Sequence, residues 1–352
     1  IFVSFDGGTN WTDLRLGLPP LSVRDLVVHP RDNDLVIGTH ARGFYILDDV
    51  TPLQGLAEAT QQDVALFEPM RGTRYTPRAD AGSLGDQVFL APNEPYGVLI
   101  SYYLSESAAG ADEVEFTISD STGTPLRTME GPAEPGLNRA VWDLRENLSM
   151  VAGIEAETGD FVPGPRAMPG SYSVQLSAAG QTREESFRVR LPPTVEATPA
   201  ALTDYYDTVK RLMQMQHTMQ RAMDRIESIE TQIAEVKPEI DDADLQARAD
   251  SVLADLAAVK HQLDTPTRSW EASADDGILN LQGRVRWLVS QVSEYTGRPT
   301  EPQKTYIQRF DRQLSGVMST LDDILHGPLA DLNERLRAAQ VPHIDPHASF
   351  SE

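Results

Sequence analysis

Ser4-Phe5-Asp6-Gly7-Gly8-Thr9-Asn10-Trp11 is the stretch on which the reading of this chain turns. Asp6 is placed to accept hydrogen bonds from the amides of a tight bend, and Gly7-Gly8 supplies the positive φ that the bend requires. Trp11 is expected to plug the turn as a packed apolar side chain. Short apolar runs flank it, Ile1 to Asp6 and Trp11 to Leu16, and read as a hairpin. Further out, Leu18-Pro19-Pro20 breaks the pattern, Val23 to His29 is another strand, and Pro30-Arg31-Asp32-Asn33-Asp34 is a polar turn. Leu35 to Thr39 and Gly43 to Leu47 make a last hairpin. Strands this short, with turns this evenly spaced, fit the edge of a radial β repeat.

The same eight residues match the Asp-box pattern Ser/Thr-x-Asp-x-Gly-x-x-Trp on Ser4, Asp6, Gly8 and Trp11. With His29-Pro30-Arg31-Asp32, Gly38-Thr39-His40-Ala41-Arg42-Gly43 and Leu47-Asp48-Asp49, residues 1–50 resemble the closing blade of bacterial sortilin-like β-propeller proteins, whose repeats also occur in glycosyl hydrolases. The resemblance implies that the box lies on the blade periphery, so Asp6 is read as structural. His40 and Arg42 alternate along one strand and are candidate channel-lining residues, as are Asp48 and Asp49. Carboxylates that flank a glycosidic bond sit about 5–10 Å apart on separate elements. Adjacent strand residues point to opposite faces instead, and no catalytic residue is assigned. The chain enters a strand pattern at Ile1 with no basic and apolar leader before it, and is read as the C-terminal piece of a longer protein.

Residues 51–86 are interrupted by Pro52, Pro69, Gly72, Pro77, Gly82 and Gly85, and read as a linker holding one short strand, Asp63 to Phe67. From 87 to 193 short strands return: Tyr96 to Tyr103, Val114 to Ser119, Leu126 to Met129, Asn138 to Leu144, Gly170 to Leu176 and Glu185 to Val189. At least six of them, without a Cys pair, predict an immunoglobulin-like β-sandwich. Gly136 to Asp143 and Met168 to Leu176 resemble the immunoglobulin-like domain of the flagellar hook cap family, with a Gly- and Pro-rich insert, 146–166, between the two motifs. Trp142 alternates with Ala140 inside a strand and reads as core; a sugar-stacking platform is its other possible role.

After Leu191-Pro192-Pro193 the period changes. Thr198 caps a helix with Pro199 at its first position. Its stripe runs Leu202, Tyr205, Val209, Leu212, Met219, Met223, Ile226, Ile233, interrupted at Gln216 and Glu230, which are read as register-setting polar residues. A second helix reaches Leu263 and stops at Thr265-Pro266; a third spans Ile278 to Tyr295; a fourth starts from a Thr300/Gln303 capping box and kinks at Gly327-Pro328. Residues 198–340 therefore predict an antiparallel four-helix bundle, and 341–352 a disordered tail. Met213, Met215, Met219 and Met223 read as deformable core filler.

Composition narrows the function. Fifty-three acidic against thirty basic side chains leave a net charge of −23, which opposes binding to nucleic acid. Zero Cys excludes disulfides, thiolate zinc sites and cysteine nucleophiles. No apolar run approaches the roughly 20 residues of a membrane span. His217, His261, His343 and His347 stand singly, and neither a Glu-x-x-His pair nor a hydrolase or phosphate-loop motif occurs, so no metal, cofactor or catalytic set is expected. The expectation is a multidomain, secreted or periplasmic protein: partial β-propeller, immunoglobulin-like sandwich and helical bundle. Its propeller would bind a protein, peptide or glycan, with the other modules as spacers. The alternative is the accessory region of a propeller glycoside hydrolase whose active site lies upstream of residue 1. Oligomeric state is left open.

Overall fold

Alternating apolar side chains build the longer strands up to residue 196. The computed structural model describes residues 1–14, 17–76, 91–110, 113–154, 161–264 and 280–347. They belong to two compact units, Ile1–Glu196 and Ala197–Glu352. Expectations on Leu16, on the linker beyond residue 76, on the Thr265-Pro266 stop and on Ile278 lie outside the described residues.

In the first unit β1 (Phe2–Val3) pairs with β2 (Thr12–Asp13), and β3 (Val23–Val28), β4 (Leu35–Thr39) and β5 (Phe44–Leu47) form an antiparallel sheet in that order. Two one-turn helices follow, α1 (Thr51–Gln54) and α2 (Leu56–Ala59), then β6 (Val64–Leu66), β7 (Gly72–Thr73), β8 (Val98–Leu104) and β9 (Val114–Asp120). The unit continues with β10 (Pro125–Glu130), β11 (Gly136–Trp142), β12 (Arg145–Asn147), α3 (Leu148–Ala152), β13 (Pro163–Arg166), β14 (Gly170–Ala178) and β15 (Gln181–Arg190).

A five-stranded sheet of order β10-β9-β14-β15-β7 and a three-stranded one of order β11-β8-β6 share one apolar core. Ile100, Tyr102 and Trp142 come from the smaller sheet, and Phe116, Val174, Leu176 and Phe187 from the larger. Trp142, 1% exposed, sits 5.5 Å from the Tyr172 ring and 5.8 Å from Phe187, and its indole N–H donates to the Arg145 carbonyl at 2.8 Å. It is a core residue, shut off from any ligand.

The described part of the expected linker is structural. β6 pairs with β8, and β7 runs parallel to β15, adding an edge strand to each sheet. The Arg74 guanidinium is buried and donates to the Ala167 carbonyl at 3.2 Å. Two or three residues make a strand here because a partner already waits, which no local pattern announces.

The second unit places α4 (Pro199–Val236), α5 (Ala243–Leu263), α6 (Leu281–Glu294), α7 (Glu301–His326) and α8 (Pro328–Ala338) around one apolar core. Thr198 accepts from the Ala201 amide, Asp242 from that of Asp244, and Thr300 and Gln303 bond reciprocally. The stripe on α4 departs from expectation. Met215 and Ile229, not Gln216 and Glu230, face the core, and Glu230 takes Lys260 at 3.0 Å on the neighbouring α5. Over 38 residues a 3.6-residue period drifts off a fixed three-four spacing. Tyr295, expected on the third helix's stripe, is exposed beyond its end. The expected fourth helix is two, divided at Gly327. The described part of the expected tail is packed: Ile344 is buried, and its backbone N–H and C=O both bond the Asn333 side chain, at 2.7 and 2.8 Å.

Candidate functional site

The Asp box is a closed hydrogen-bond system. Asp6 accepts from the Asn10 amide at 2.8 Å and from its side chain at 2.6 Å, and Ser4 Oγ donates to it at 2.9 Å. Ser4 Oγ in turn accepts from the Gly8 amide at 2.7 Å. The Asn10 amide chiefly holds the Asp6 carboxyl below its ordinary value. These hydrogen bonds all close on the turn itself. Trp11 lies over the turn and donates to the Gly8 carbonyl at 3.0 Å, but at 63% exposure it is not the packed plug expected.

His40 and Arg42 are not on a strand. They flank Ala41, which has φ 61°, in the exposed turn between β4 and β5. Asp48 and Asp49 leave β5 at the opposite end of that hairpin, so the four candidates are separated into two pairs. What pulls Asp49 away from the strand is a left-handed backbone, φ 48°, with its amide donating to Asp34 at 3.0 Å. Arg139 on β11 donates to the carbonyls of both Asp48 and Asp49 at 2.7 Å.

That end of the hairpin is where polar groups converge. Residues 29–34 form a tight loop, closed by His29 N–H to the Asp34 carbonyl at 2.8 Å and pinned by Asn33 to Thr51 and Gln54. Between this loop, residues 70–75 and residues 94–97 lies a cleft of about 110 Å³. Asp32, Asp34, Asp49 and Glu94 line it with Arg71, Arg190, Tyr75 and Tyr96. Tyr75 and Tyr96 meet edge to face at 5.0 Å, and the Arg166 guanidinium lies 4.9 Å from the Tyr96 ring centroid. Arg190 donates to Thr73 Oγ1 at 3.2 Å.

The charges here are unbalanced. Arg31 holds the Asp32 carboxyl below its ordinary value through hydrogen bonds of 2.5 and 2.7 Å. Glu94 is pushed the other way, first by burial and then by Asp48, Asp34, Asp32 and Asp49. Burial and Asp34 raise Asp48 too, against the pull of Arg139. Carboxyls raised in this way hold a proton longer and suit hydrogen bonding to hydroxyls or amines. Ligand atoms of His29, Asp32 and Asp34 lie within 4.8 Å of one another, a donor set suited to a divalent cation. Arg31 already occupies Asp32, and a cation would have to displace it.

Sequence reading treated Asp32 and Asp34 as an ordinary polar turn and passed over Glu94, Arg71 and Arg190. The Asp-Asn-Asp spacing in that turn was the available signal; the remaining partners come from 40 to 160 residues downstream. Comparison with known protein families, with curated proteins and with solved structures finds no match to this chain.

Proposed function

We propose that this chain is a non-catalytic binding region: residues 1–50 form part of a β-propeller of the sortilin-like, Asp-box kind, with an immunoglobulin-like sandwich and a four-helix bundle as spacer or docking modules. The observation that carries it is the β3-β4-β5 sheet. Cross-strand register puts Val27, Val36, Ile46 and Phe44 on one face and Leu26, Ile37, Leu35 and Leu47 on the other. Both faces are apolar, yet Val27 is 52%, Ile46 61% and Phe44 78% exposed. A sheet apolar on both sides is built to lie between two further layers, as a propeller blade does.

The cleft supports binding as its role. Carboxylates, guanidiniums and tyrosine rings around a small volume suit the hydroxyls of a glycan or the polar side chains of a peptide. A second reading, the accessory region of a glycoside hydrolase, is favoured by the raised carboxyls of Asp48 and Glu94, since a general acid needs such a carboxyl.

Two measurements test this. Amide exchange on the 352-residue chain is expected to be fast across β3 and β5, with binding of an apolar dye; slow exchange without dye binding would make the sheet self-sufficient and sink the propeller assignment. A glycan and peptide array, read beside chromogenic glycosides, separates the roles. Retention lost in Asp34→Ala and Glu94→Ala supports binding. Turnover abolished by Asp48→Asn or Glu94→Gln would replace it with catalysis.

A further inference from the structure

Four arginines of the helical unit sit in ion pairs. Arg211 meets Asp311, Arg248 meets Asp244 and Asp331, Arg298 meets Asp204, and Arg335 meets Asp331. Arg225, Arg286, Arg312 and Arg337 make no ion pair among the described residues either; Arg284 on α6 and Arg309 on α7 are set apart because their charges act on each other. Neither makes an ion pair among the described residues, although the chain carries 53 acidic side chains. Arg284 is half-buried, its guanidinium carbon 5.3 Å from the Phe310 ring centroid, and its Nε is buried with no hydrogen-bond partner. Burial, then the charge of Arg309, lowers the affinity of Arg284 for its proton, and no carboxylate offsets them.

Aromatic side chains flank this pair. Trp287 lies one turn on from Arg284 and is 53% exposed; Tyr306 lies one turn back from Arg309, is exposed, and stacks on Phe310 at 6.0 Å. Arg284 and Phe310 stand at nearly equal distances from the connection 295–300, so the two helices run antiparallel. Trp287 and Tyr306 are then neighbouring positions one turn nearer the connection.

Two neighbouring guanidiniums with no carboxylate partner among the described residues repel each other, an arrangement that an anionic ligand relieves. We infer that this α6–α7 face binds an acidic peptide segment, its carboxylates taken by Arg284 and Arg309 and an adjacent apolar side chain by Trp287 and Tyr306. The chain's net charge of −23 selects against long polyanions, whose charge is felt at a distance, and leaves a short carboxylate motif as the fitting partner.

The test uses the 352-residue chain and a fluorescein-labelled octapeptide of alternating Glu and Leu. A Gln/Leu octapeptide, inorganic phosphate and a single-stranded oligonucleotide serve as competitors. Binding of the Glu/Leu peptide by anisotropy is expected, weakening as salt rises and untouched by the Gln/Leu peptide. Arg284→Gln and Arg309→Gln are each expected to weaken it about 10- to 100-fold. Trp287→Ala is expected to weaken it further without changing the salt dependence. Thermal unfolding provides the second readout: because a like-charge pair is relieved, Arg309→Gln leaves the helical transition unchanged or raises it, whereas a structural arginine would lower it. Affinity unchanged from wild type in both arginine variants overturns the proposal. So does displacement by the oligonucleotide at lower concentration than the unlabelled peptide, which assigns the face to nucleic acid, or by phosphate at the same concentration, which leaves only a site for small anions.

Discussion

Replacing Trp142 with Ala tests the core of the first unit and the exclusion of Trp142 from ligand binding. The indole is 1% exposed and packs against the stacked rings of Tyr172 and Phe187, so truncation leaves a cavity two sheets cannot close. Loss of transfer free energy and the residual cavity together cost about 3–5 kcal/mol. The Arg145 carbonyl, which accepts the indole N–H at 2.8 Å, loses its donor, adding about 1 kcal/mol. Against a typical total of about 5–15 kcal/mol, that removes much of the unit's margin. Trp142→Phe keeps a ring in the aromatic cluster and is expected to cost less than half as much. Urea unfolding separates the effects, with near-ultraviolet ellipticity following the aromatic core and ellipticity at 222 nm following the helices. The aromatic transition should move to lower urea in the order wild type, Phe, Ala, while the helical one stays as an internal reference. Unchanged stability in Trp142→Ala, accompanied by lost glycan retention, would refute the packing argument and restore the stacking-platform role.

Three further outcomes follow from local geometry. Gly97→Ala would drive a Cβ into the Trp142 carbonyl from a backbone at φ +143°, and is expected to destabilise the first unit by at least about 2 kcal/mol in the same urea assay. Glu94 and Asp48 have folded-state values raised above their unfolded ones, so the folded chain binds extra protons and is favoured in acid; that advantage is lost as pH rises through the raised values. Glu94→Gln should therefore raise the urea midpoint at pH 7, with the difference from wild type vanishing below about pH 4. Asn333→Ala removes both bonds to Ile344 and should cost about 1–3 kcal/mol while exposing residues 341–347 to protease; intact resistance would show that the segment is held by other contacts.

The helices were legible because their signals are local. Thr198 and the Thr300/Gln303 box start helices where their capping residues stand, and the second helix ends at Leu263 as expected. Long strands such as β9, β11 and β14 were legible through alternation over seven or more residues. β6 and β7 are made by their partners, and a two-residue strand has no period. His40 and Arg42 were misplaced because the positive φ of Ala41 turns the chain where alternation seemed to continue. The cleft was illegible for a further reason: Asp34, Arg71, Glu94 and Arg190 share nothing in sequence and meet only through sheet topology. Trp142, by contrast, sat where the alternation with Ala140 placed it.

The parallel pairing of β7 with β15 sets a timetable for synthesis. Thr73 and Arg190, bonded to each other across 117 residues, both line the cleft. At about 5–20 residues per second, a ribosome that has made Thr73 needs on the order of ten seconds to reach Arg190. Through that interval β7 has no strand to join, and one wall of the cleft does not yet exist. A ligand that needs Arg190 therefore meets an incomplete cleft on the nascent chain. The cleft reports that translation has passed residue 190, by which point every strand of the first unit has been made.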